Sequence, residues 1–410
     1  MTRTGQRPSV LVVGAGMYVC GRGASGFGTV LPTLVQAQAE GLVGELFVAG
    51  ESRSGLHVLQ GKLTELNRRF GTRATVRGFP DRVERDPVSY REALAAMPRP
   101  ACAMVVVPDH LHAQVAAEVI RAGVHVLVVK PLAPTVAEAQ ELIDLLATHQ
   151  VYGAVEFHKR YDEANLVMRQ ALADGRLGAI RYVTVEYSQQ GKIRETFRSW
   201  IAHTNIFQYL GVHYVDLIYF LSGARPVRVL ATGQPDGAAA GEPWRLDAIQ
   251  AVIEWKPSAG PSFISTVATN WVDPDTTSAL SDQRITVVGT LGRASSDQKH
   301  RGLQFVTGRD GIEDLNPYFS QVYQGASESR PTIEGYGPRS IRQFLADVRE
   351  LVRGSRQLEE LESSRPSFRE ALVSTAVIEA VRKSLEQGRG WVEIDPAAFK
   401  HTSALQAQLQ

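Results

Sequence analysis

The sequence contains only two cysteines, Cys20 and Cys102, among 410 residues. Two thiols cannot form the disulfide framework of a small secreted domain or the thiolate cluster of a structural metal site. The histidines offer no substitute, because His110 and His112 are two residues apart and no helical pair four residues apart is flanked by acids as in zinc proteases. The sequence therefore predicts neither a disulfide scaffold nor a metal site.

The sequence also lacks net charge and long apolar runs. Its 44 basic and 43 acidic residues leave a formal net charge of +1, so no overall field would attract nucleic acid or an anionic membrane. No apolar run reaches the roughly 18 residues that suggest a membrane span. Residues 1–8 lack the apolar core of a secretory signal. We therefore expect a cytoplasmic protein without nucleic-acid or membrane partners.

The first 150 residues alternate between apolar strands and amphipathic helices. Residues 9–16 are predicted to form a strand that ends in a tight glycine turn, and further strands are predicted at 45–49, 101–107 and 124–129. Helices are predicted at 29–40, 55–70, 111–122 and 135–149. Apolar strands that alternate with helices are typical of a parallel sheet with both faces covered. The sequence therefore predicts an α/β domain with a doubly wound parallel sheet over residues 1–150.

The pattern changes after residue 150. Strands are predicted at residues 178–189, 226–233, 248–255, 262–269, 284–289 and 390–394, and helices at 161–174, 208–222, 340–354 and 367–387. Strands with few helices between them favour antiparallel pairing. We predict an α+β domain over residues 151–395 with a large, mostly antiparallel open sheet, whose last helices pack back on the first domain. Residues 396–410 are predicted to be a polar, partly disordered tail.

Glycines follow the first predicted strand, in the context that a dinucleotide-binding turn of the Rossmann type requires. Gly14 would permit a sharp turn, and Gly16 would let the backbone approach a pyrophosphate. The third glycine of the motif is replaced by Val19, and a glycine-rich stretch follows with Gly21, Gly23, Gly26 and Gly28. Met17 and Tyr18 are further candidate cofactor neighbours. The alternative is an ordinary strand and turn that contain glycines.

The second predicted strand ends in three polar residues that bear on the choice of cofactor. Glu51 would bind the ribose 2′-hydroxyl of NAD, whereas Ser52 and Arg53 could hold the 2′-phosphate of NADP. Polar loop residues without a role are an equally good interpretation of any one of them. The sequence therefore leaves the choice between NAD and NADP open.

Several longer motifs occur in order along the chain. They are VPDHLH at 107–112, AGVHVLVVKPLAPTVAEAQEL at 122–142, DGRLGAIRYVTVEY at 174–187, GVHYVDLIYFLSG at 211–223 and SFREALVSTAVIEAVRKSLEQGR at 367–389. Together they resemble the glucose–fructose oxidoreductase/inositol dehydrogenase/MocA family of NAD(P)-dependent oxidoreductases. The resemblance implies a small polyhydroxylated substrate and a homo-oligomer, either a homodimer or a homotetramer.

The resemblance assigns catalytic roles to two motifs. The family's Glu-Lys-Pro stands here as Val129-Lys130-Pro131, and the lysine would contact cofactor and substrate and stabilise a developing alkoxide. The family's aspartate and histidine, four residues apart on one helix, correspond to Tyr209 and His213. His213 would be the acid–base group. Tyr209 could donate a hydrogen bond to the substrate or to His213.

Two other segments supply candidate ligand contacts. By resemblance, the loop that contains Pro108, Asp109 and His112 would lie beside the cofactor, with Pro108 and Asp109 near the nicotinamide ribose. A helix cap by Asp109 is equally compatible with the sequence. Several residues before the Tyr209 helix could line a pocket for a polyhydroxylated substrate, or could be exposed loop residues without a role. They are Trp200, His203, Thr204 and Asn205, with Lys192 and Arg194.

The sequence thus predicts hydride transfer between NAD or NADP and a secondary hydroxyl or ketone of a sugar, sugar derivative or cyclitol. Two alternatives stay open. One is redox-neutral epimerisation or elimination through transient oxidation with bound cofactor. The other is a dinucleotide-binding regulator without catalysis, which the replacement of the family's glutamate and aspartate allows. The sequence does not identify the substrate, the reacting carbon or the direction of the reaction.

Overall fold

The computed structural model describes residues 6–21, 26–235, 246–326 and 328–399. The chain divides into two compact units, each assembled from three separate segments. The first consists of Met1–Val129, Glu141–Tyr161 and Tyr318–Phe368, and the second of Lys130–Gln140, Asp162–Pro317 and Arg369–Gln410. The predicted domain boundary near residue 150 stays a prediction.

Strands and helices alternate up to residue 156 and strands dominate from residue 180 to 334. The strands are β1 (Ser9–Val13), β2 (Leu46–Ala49), β3 (Val76–Phe79), β4 (Ala101–Val105), β5 (His125–Val129), β6 (Gly153–Glu156), β7 (Ile180–Gln190), β8 (Arg225–Pro235), β9 (Leu246–Lys256), β10 (Phe263–Asp273), β11 (Ser281–Gly289), β12 (Arg293–Asp297), β13 (Leu303–Thr307), β14 (Gly311–Leu315), β15 (Gln321–Tyr323), β16 (Thr332–Glu334) and β17 (Val392–Glu393). The α-helices are α1 (Met17–Cys20), α2 (Val30–Ala39), α3 (Arg53–Phe70), α4 (Tyr90–Ala96), α5 (His112–Arg121), α6 (Val136–His149), α7 (Glu163–Ala173), α8 (Lys192–Thr196), α9 (Val212–Ser222), α10 (Tyr336–Arg353), α11 (Leu358–Ser364) and α12 (Phe368–Glu386).

The first unit is built on a six-stranded parallel sheet with the order β3-β2-β1-β4-β5-β6. This is the order of a Rossmann fold, in which the chain reverses direction across the sheet between β1 and β4. All residues of β1, β2, β4 and β6 are buried, because helices cover both faces of a parallel sheet. The predicted doubly wound sheet is confirmed.

A single apolar core joins this sheet to helices from distant parts of the chain. Residues of β1, α2 and α3 pack with residues of α10, including Ile341, Phe344 and Val348, which are at most 2% exposed. The helix α10 therefore belongs to the first unit although about 180 residues separate it from the end of β6. Burial of several large apolar side chains on one helix explains this association, since each contributes roughly 1.5–3 kcal/mol.

The second unit contains a seven-stranded sheet with the order β12-β11-β7-β10-β9-β8-β17. Only the β7–β10 pair is parallel, and the other neighbours are antiparallel. In β10 buried residues alternate with more exposed ones, for example buried Val267 and Trp271 with exposed Ile264 and Val272. This alternation is typical of a sheet with one covered face. The predicted open, mostly antiparallel sheet is confirmed.

Several local predictions needed correction. The strands β3 and β6 and the helix α4 were not predicted. The helix predicted at 208–222 begins with a π-turn, Phe207–Gly211, before the α-helix α9. Of the predicted polar tail, Pro396–Phe399 form a 3-10 turn in which Phe399 is buried, and residues 400–410 lie outside the described residues. No described helix combines the length and hydropathy needed to cross a membrane.

Candidate active site

The glycine turn after β1 has the backbone that the sequence predicted. Gly14 has φ +117°, and a Cβ there would lie 2.1 Å from the Val106 carbonyl oxygen, so only glycine fits. Its amide donates to the Ala49 carbonyl at 2.8 Å. Gly16 differs, because no heavy atom lies within 4 Å of the position of a Cβ. Gly14 thus shapes the turn, and Gly16 leaves an open approach to its backbone.

The one-turn helix α1 follows Gly16 directly, whereas the sequence placed the first helix at residue 29. Tyr18 lies in α1, and its hydroxyl is fully buried. Burial raises the pKa of Tyr18 well above its ordinary value, and the neighbouring Glu156 charge raises it further. Because the Tyr18 hydroxyl is buried within the first unit, any contact of Met17 or Tyr18 with a pyrophosphate would use the main-chain amides.

The two described ends of the glycine-rich stretch after α1, Gly21 and residues 26–28, lie close together. Gly21 and Gly28 both have positive φ, at 78° and 68°, and a Cβ on either would lie under 3 Å from neighbouring backbone. The buried amine of Lys62, in α3, donates to the Gly26 carbonyl at 2.5 Å. The described end of this stretch at Gly26 therefore contacts α3. Gly23 lies outside the described residues.

The three polar residues after β2 have different environments. Ser52 caps α3 and accepts a hydrogen bond from the Gly55 amide at 3.3 Å. Glu51 forms an ion pair with Arg85, whose Nε lies 3.1 Å from Glu51 Oε1. Arg53 is exposed at the first position of α3. Sequence reasoning missed Arg85, because it lies between β3 and α4, which were not predicted.

The loop after β4 contains Pro108, Asp109 and His112. Asp109 is 5% exposed and begins a 3-10 turn, Asp109–Leu111, whose N-cap residue is Pro108, and the N-cap residue of α5 is Leu111. The alternative role of Asp109 as a helix cap stays a prediction. A ring nitrogen of buried His112 lies 2.9 Å from the Val107 carbonyl oxygen. His112 thus holds the loop in place, with Pro108 at its start.

In the second unit, the chain brings Lys130 and Tyr209 together. Lys130 follows Val129, the last residue of β5. Its Nζ donates to the Tyr209 carbonyl at 2.5 Å and lies 4.2 Å from the centre of the Tyr209 ring. A cation on the face of a phenol is stabilised by the ring quadrupole, by about 0.5–2 kcal/mol. Tyr209 therefore acts on Lys130 through both its ring and its main chain.

Two aromatic side chains, Phe197 and Trp200, pack near the Tyr209 ring. The Phe197 ring centre lies 4.9 Å from that of Tyr209 and 4.6 Å from that of Trp200. Tyr209 itself lies within the π-turn, a feature that is frequent at functional sites because it interrupts regular helical hydrogen bonding. Of the predicted substrate contacts, Trp200 therefore joins the Lys130–Tyr209 cluster.

His213 lies on the first turn of α9 and is 6% exposed. Its ring centre is 6.3 Å from that of Tyr187 in β7. The π-turn adds a residue to the turn before His213, so Gln208 as well as Tyr209 lies about one turn earlier. A buried amide thus accompanies the tyrosine that replaces the family's aspartate.

The remaining predicted substrate contacts are placed differently. Asn205 is 9% exposed, and its Oδ1 accepts a hydrogen bond from the Gln208 amide at 2.8 Å, which holds the start of the π-turn. His203 is exposed at the end of a 3-10 turn, Ile201–His203. Asn205 therefore positions the segment that carries Tyr209, and His203 lies at the protein surface.

A β-bulge lies on the sheet near His213. Two residues of β10, Trp271 and Val272, stand opposite the single residue Gln189 of β7. Trp271 is 3% exposed and Val272 is 57% exposed, so the indole points to the covered face of the sheet. Bulges are common beside active sites, where they redirect a side chain.

Sequence reasoning missed Gln189 and Trp271 as candidate ligand contacts. Gln189 lies two residues after Tyr187 on the same strand, so both side chains are on the same face of the sheet. The Tyr187 ring is the one that lies near His213. Its amide nitrogen donates to the Ser281 hydroxyl at 3.0 Å. No described residue forms a hydrogen bond with Gln189 Oε1 or Trp271 Nε1, although both atoms are buried. Such groups cost about 1–3 kcal/mol each unless a water or ligand satisfies them.

The described residues contain no group of three or more His, Cys, Asp and Glu side chains that could hold a metal ion. Cys20 and Cys102 are both free and buried. Burial raises the pKa of each thiol above its ordinary value.

Comparison with protein families decides the classification. A model of an oxidoreductase family with an NAD-binding Rossmann fold matches residues 60–157, and a model of the GFO/IDH/MocA C-terminal domain matches residues 166–295. The chain belongs to the GFO/IDH/MocA oxidoreductase family. The predicted resemblance and the nicotinamide dinucleotide as cofactor class are confirmed. The glycine turn at Gly14 lies before the matched segment, so its role rests on its own geometry.

Individual relatives match this chain at low sequence identity or over only part of its length. YhhX, an uncharacterized oxidoreductase of Escherichia coli, is 33% identical over 132 residues, which are 32% of this chain and 38% of that protein. An inositol 2-dehydrogenase of Rhizobium meliloti is 23% identical and covers 70% of this chain and 78% of its own. Among solved structures, GenD2 from gentamicin A biosynthesis, in complex with NAD, superimposes with a TM-score of 0.67 at 23% identity, covering 96% of this chain and 97% of its own. The chain thus matches little more than a third of the length of YhhX.

Proposed function

We propose that this GFO/IDH/MocA family member transfers a hydride between a nicotinamide dinucleotide and a secondary hydroxyl or ketone of a sugar, sugar derivative or cyclitol. The proposal rests on the position and contacts of the Lys130 amine. Its amine follows β5 directly and is held by the carbonyl and ring of Tyr209. A charged donor fixed in this way can stabilise an alkoxide without reorganising during the reaction.

The residues of the first unit fit a dinucleotide. Gly16 offers backbone that no side chain covers, and Gly14 holds the turn that presents it. Glu51, at the end of β2, supplies a carboxylate for the ribose hydroxyls. In the proposed site, Pro108 and Asp109 lie beside the nicotinamide ribose. The nicotinamide ring, when bound, accepts or supplies the hydride.

In the proposed mechanism, His213 removes the proton from the substrate hydroxyl during oxidation and returns it during reduction. Lys130 donates a hydrogen bond to the same oxygen and stabilises its negative charge. Tyr209 holds the amine of Lys130, so its role is to position this group. An imidazole suits this role because histidine is the side chain whose ordinary pKa lies near neutrality.

The substrate class is inferred from the polar groups around this pair and from relatives. We place Trp200 against an apolar face of the substrate ring, since aromatic rings combine apolar area with a defined orientation. Gln189 and Trp271 offer a hydrogen-bonding amide and an indole N–H to substrate hydroxyls. Asn205 and His203 are the remaining proposed substrate contacts. The relative named inositol 2-dehydrogenase supports a cyclitol among the candidates.

We also propose that the protein forms a homodimer or homotetramer through the uncovered face of the seven-stranded sheet. Apolar side chains on this sheet are exposed, including Tyr182 (48%), Ile264 (45%) and Val272 (57%). Exposed apolar groups that share a face favour a protein contact. Light scattering coupled to gel filtration should give a mass of two or four chains, and a monomer at micromolar concentration would exclude the proposal.

The function is tested by replacing Lys130 with Met, which keeps the length of the side chain and removes the charge. We expect turnover of a responsive substrate, found by a panel of sugars and cyclitols with NAD and NADP at 340 nm, to fall at least about 100-fold. Dinucleotide affinity, measured by calorimetry, should change little. Lys256→Met, which removes an exposed lysine at the end of β9, is the matched control. Wild-type turnover in Lys130→Met would refute the proposed role.

The same panel separates the other hypotheses. Product formation without net change at 340 nm, with cofactor retained through purification, would replace net oxidation by redox-neutral chemistry. Dinucleotide binding without turnover of any compound would favour a regulator.

A further inference from the structure

The loop between β3 and α4 is fastened to the end of β2 by its backbone. The Arg53 amide donates to the Glu84 carbonyl at 2.9 Å, and the Asp86 amide donates to the Glu51 carbonyl at 3.0 Å. Arg85 lies between these two bonds and forms an antiparallel bridge with the residue after Glu51. The position of Arg85 is therefore fixed by main-chain pairing, independently of its side chain.

The Arg85 side chain uses only one oxygen of Glu51. Both Nε and Nη2 donate to Oε1. No described residue forms a hydrogen bond with Glu51 Oε2. A carboxylate in this state still offers acceptor sites to the two hydroxyls of a ribose. The guanidinium of Arg85 likewise retains N–H groups that Glu51 does not use.

Separating this ion pair would also cost little free energy. The side chains of Arg85 and Glu51 are 72% and 60% exposed, and exposed pairs contribute only about 0–1 kcal/mol to stability. A 2′-phosphate carries more charge than a carboxylate and matches the planar fork of a guanidinium in two hydrogen bonds. The exposed Arg53 adds a second positive charge at the same strand end.

We infer that Arg85 is a determinant of cofactor choice and that it gives this site affinity for both dinucleotides. Glu51 Oε2 binds the 2′-hydroxyl of NAD while Arg85 holds the other oxygen. For NADP, the N–H groups of Arg85 that Glu51 does not use bind the 2′-phosphate, and the positive charge of Arg85 offsets the repulsion between this phosphate and the Glu51 carboxylate. The inference rests on the proposed function to the extent that the first unit must bind a dinucleotide.

Calorimetric titration of the full chain with NAD and with NADP tests the inference. We expect the wild type to bind both with dissociation constants within about tenfold of each other. Arg85→Met should weaken NADP binding at least about tenfold and NAD binding less than about threefold. Glu51→Gln should have the opposite preference, with weaker NAD binding and unchanged or tighter NADP binding.

Arg82→Met is the matched control, because Arg82 is an 83% exposed arginine of the same loop whose nearest acids, Asp81 and Glu92, lie 3.8 and 3.9 Å away. It should leave both affinities unchanged. Wild-type binding of NAD alone, or an equal loss of both dinucleotides in Arg85→Met, would overturn the inference and leave the proposed function standing. Failure of the wild type to bind either dinucleotide would overturn the proposed function itself. Unfolding temperatures within about 2 °C of wild type confirm that a variant is folded.

Discussion

Substitutions of two glycines in the same turn should separate an effect on protein stability from an effect on cofactor affinity. Gly14→Ala would place a methyl group 2.1 Å from the Val106 carbonyl oxygen, at φ +117°. Contact distances between carbon and oxygen are normally above 3 Å, so β1 or β4 would have to move by about an ångström. The backbone conformation alone costs an alanine about 1–3 kcal/mol. We therefore expect the free energy of unfolding to fall by roughly 3 kcal/mol or more.

Gly16→Ala should behave in the opposite way. Gly16 has φ −78° and ψ −167°, which alanine adopts without strain, and nothing lies within 4 Å of its Cβ position. Stability should stay constant or rise by about 0.4–1 kcal/mol, because alanine has fewer conformations in the unfolded chain. The new methyl group would occupy the approach of the pyrophosphate, so the affinity for NAD should fall at least about tenfold.

Urea unfolding and calorimetric titration with NAD measure the two effects separately. The expected result is a destabilised Gly14→Ala protein and a stable Gly16→Ala protein that binds NAD weakly. Equal destabilisation of both variants would show that the turn has another geometry. Wild-type NAD affinity in Gly16→Ala would place the pyrophosphate elsewhere and would remove the main structural support for the dinucleotide site.

Two further predictions concern a partly buried histidine and two buried hydrogen-bonding side chains. His125 has a pKa lowered from 6.5 to about 4 by burial, and its Nδ1 accepts a hydrogen bond from the Tyr152 amide at 2.9 Å. Because the unfolded chain takes up a proton between these values and the folded chain does not, the free energy of unfolding should fall by roughly 3 kcal/mol as the pH decreases from 6.5 to 4. In denaturant titrations His125→Asn should lack this part of the pH dependence, whereas the exposed His57→Asn should retain it; identical curves for wild type and His125→Asn would contradict the prediction. Trp271→Phe and Gln189→Leu should each raise the KM for the substrate about tenfold or more. The unfolding temperature and the NAD affinity of both variants should stay nearly constant. A lower stability with an unchanged KM would mean that buried water satisfies these groups.

Much of the fold follows from local sequence patterns. The fully apolar strands β1 and β4 and the alternating strand β10 distinguish a sheet covered on both faces from one covered on a single face. The strand β3, by contrast, contains Arg77 and Gly78 and has only one buried residue, so its four residues carry no apolar signal. It was missed because its place at the sheet edge depends on pairing with β2.

Some residues of the candidate site could likewise be predicted from the sequence, and others only from the tertiary structure. The sequence by itself determined the glycine turn, the lysine after β5 and the histidine of α9, because each is marked by residue type within a short motif. Only the tertiary structure placed Arg85 on Glu51, 34 residues away, and Trp271 opposite Gln189 across a bulge. It also decided that a π-turn precedes His213. These features depend on strand register and loop pairing between distant segments, and no local pattern of side chains encodes such contacts.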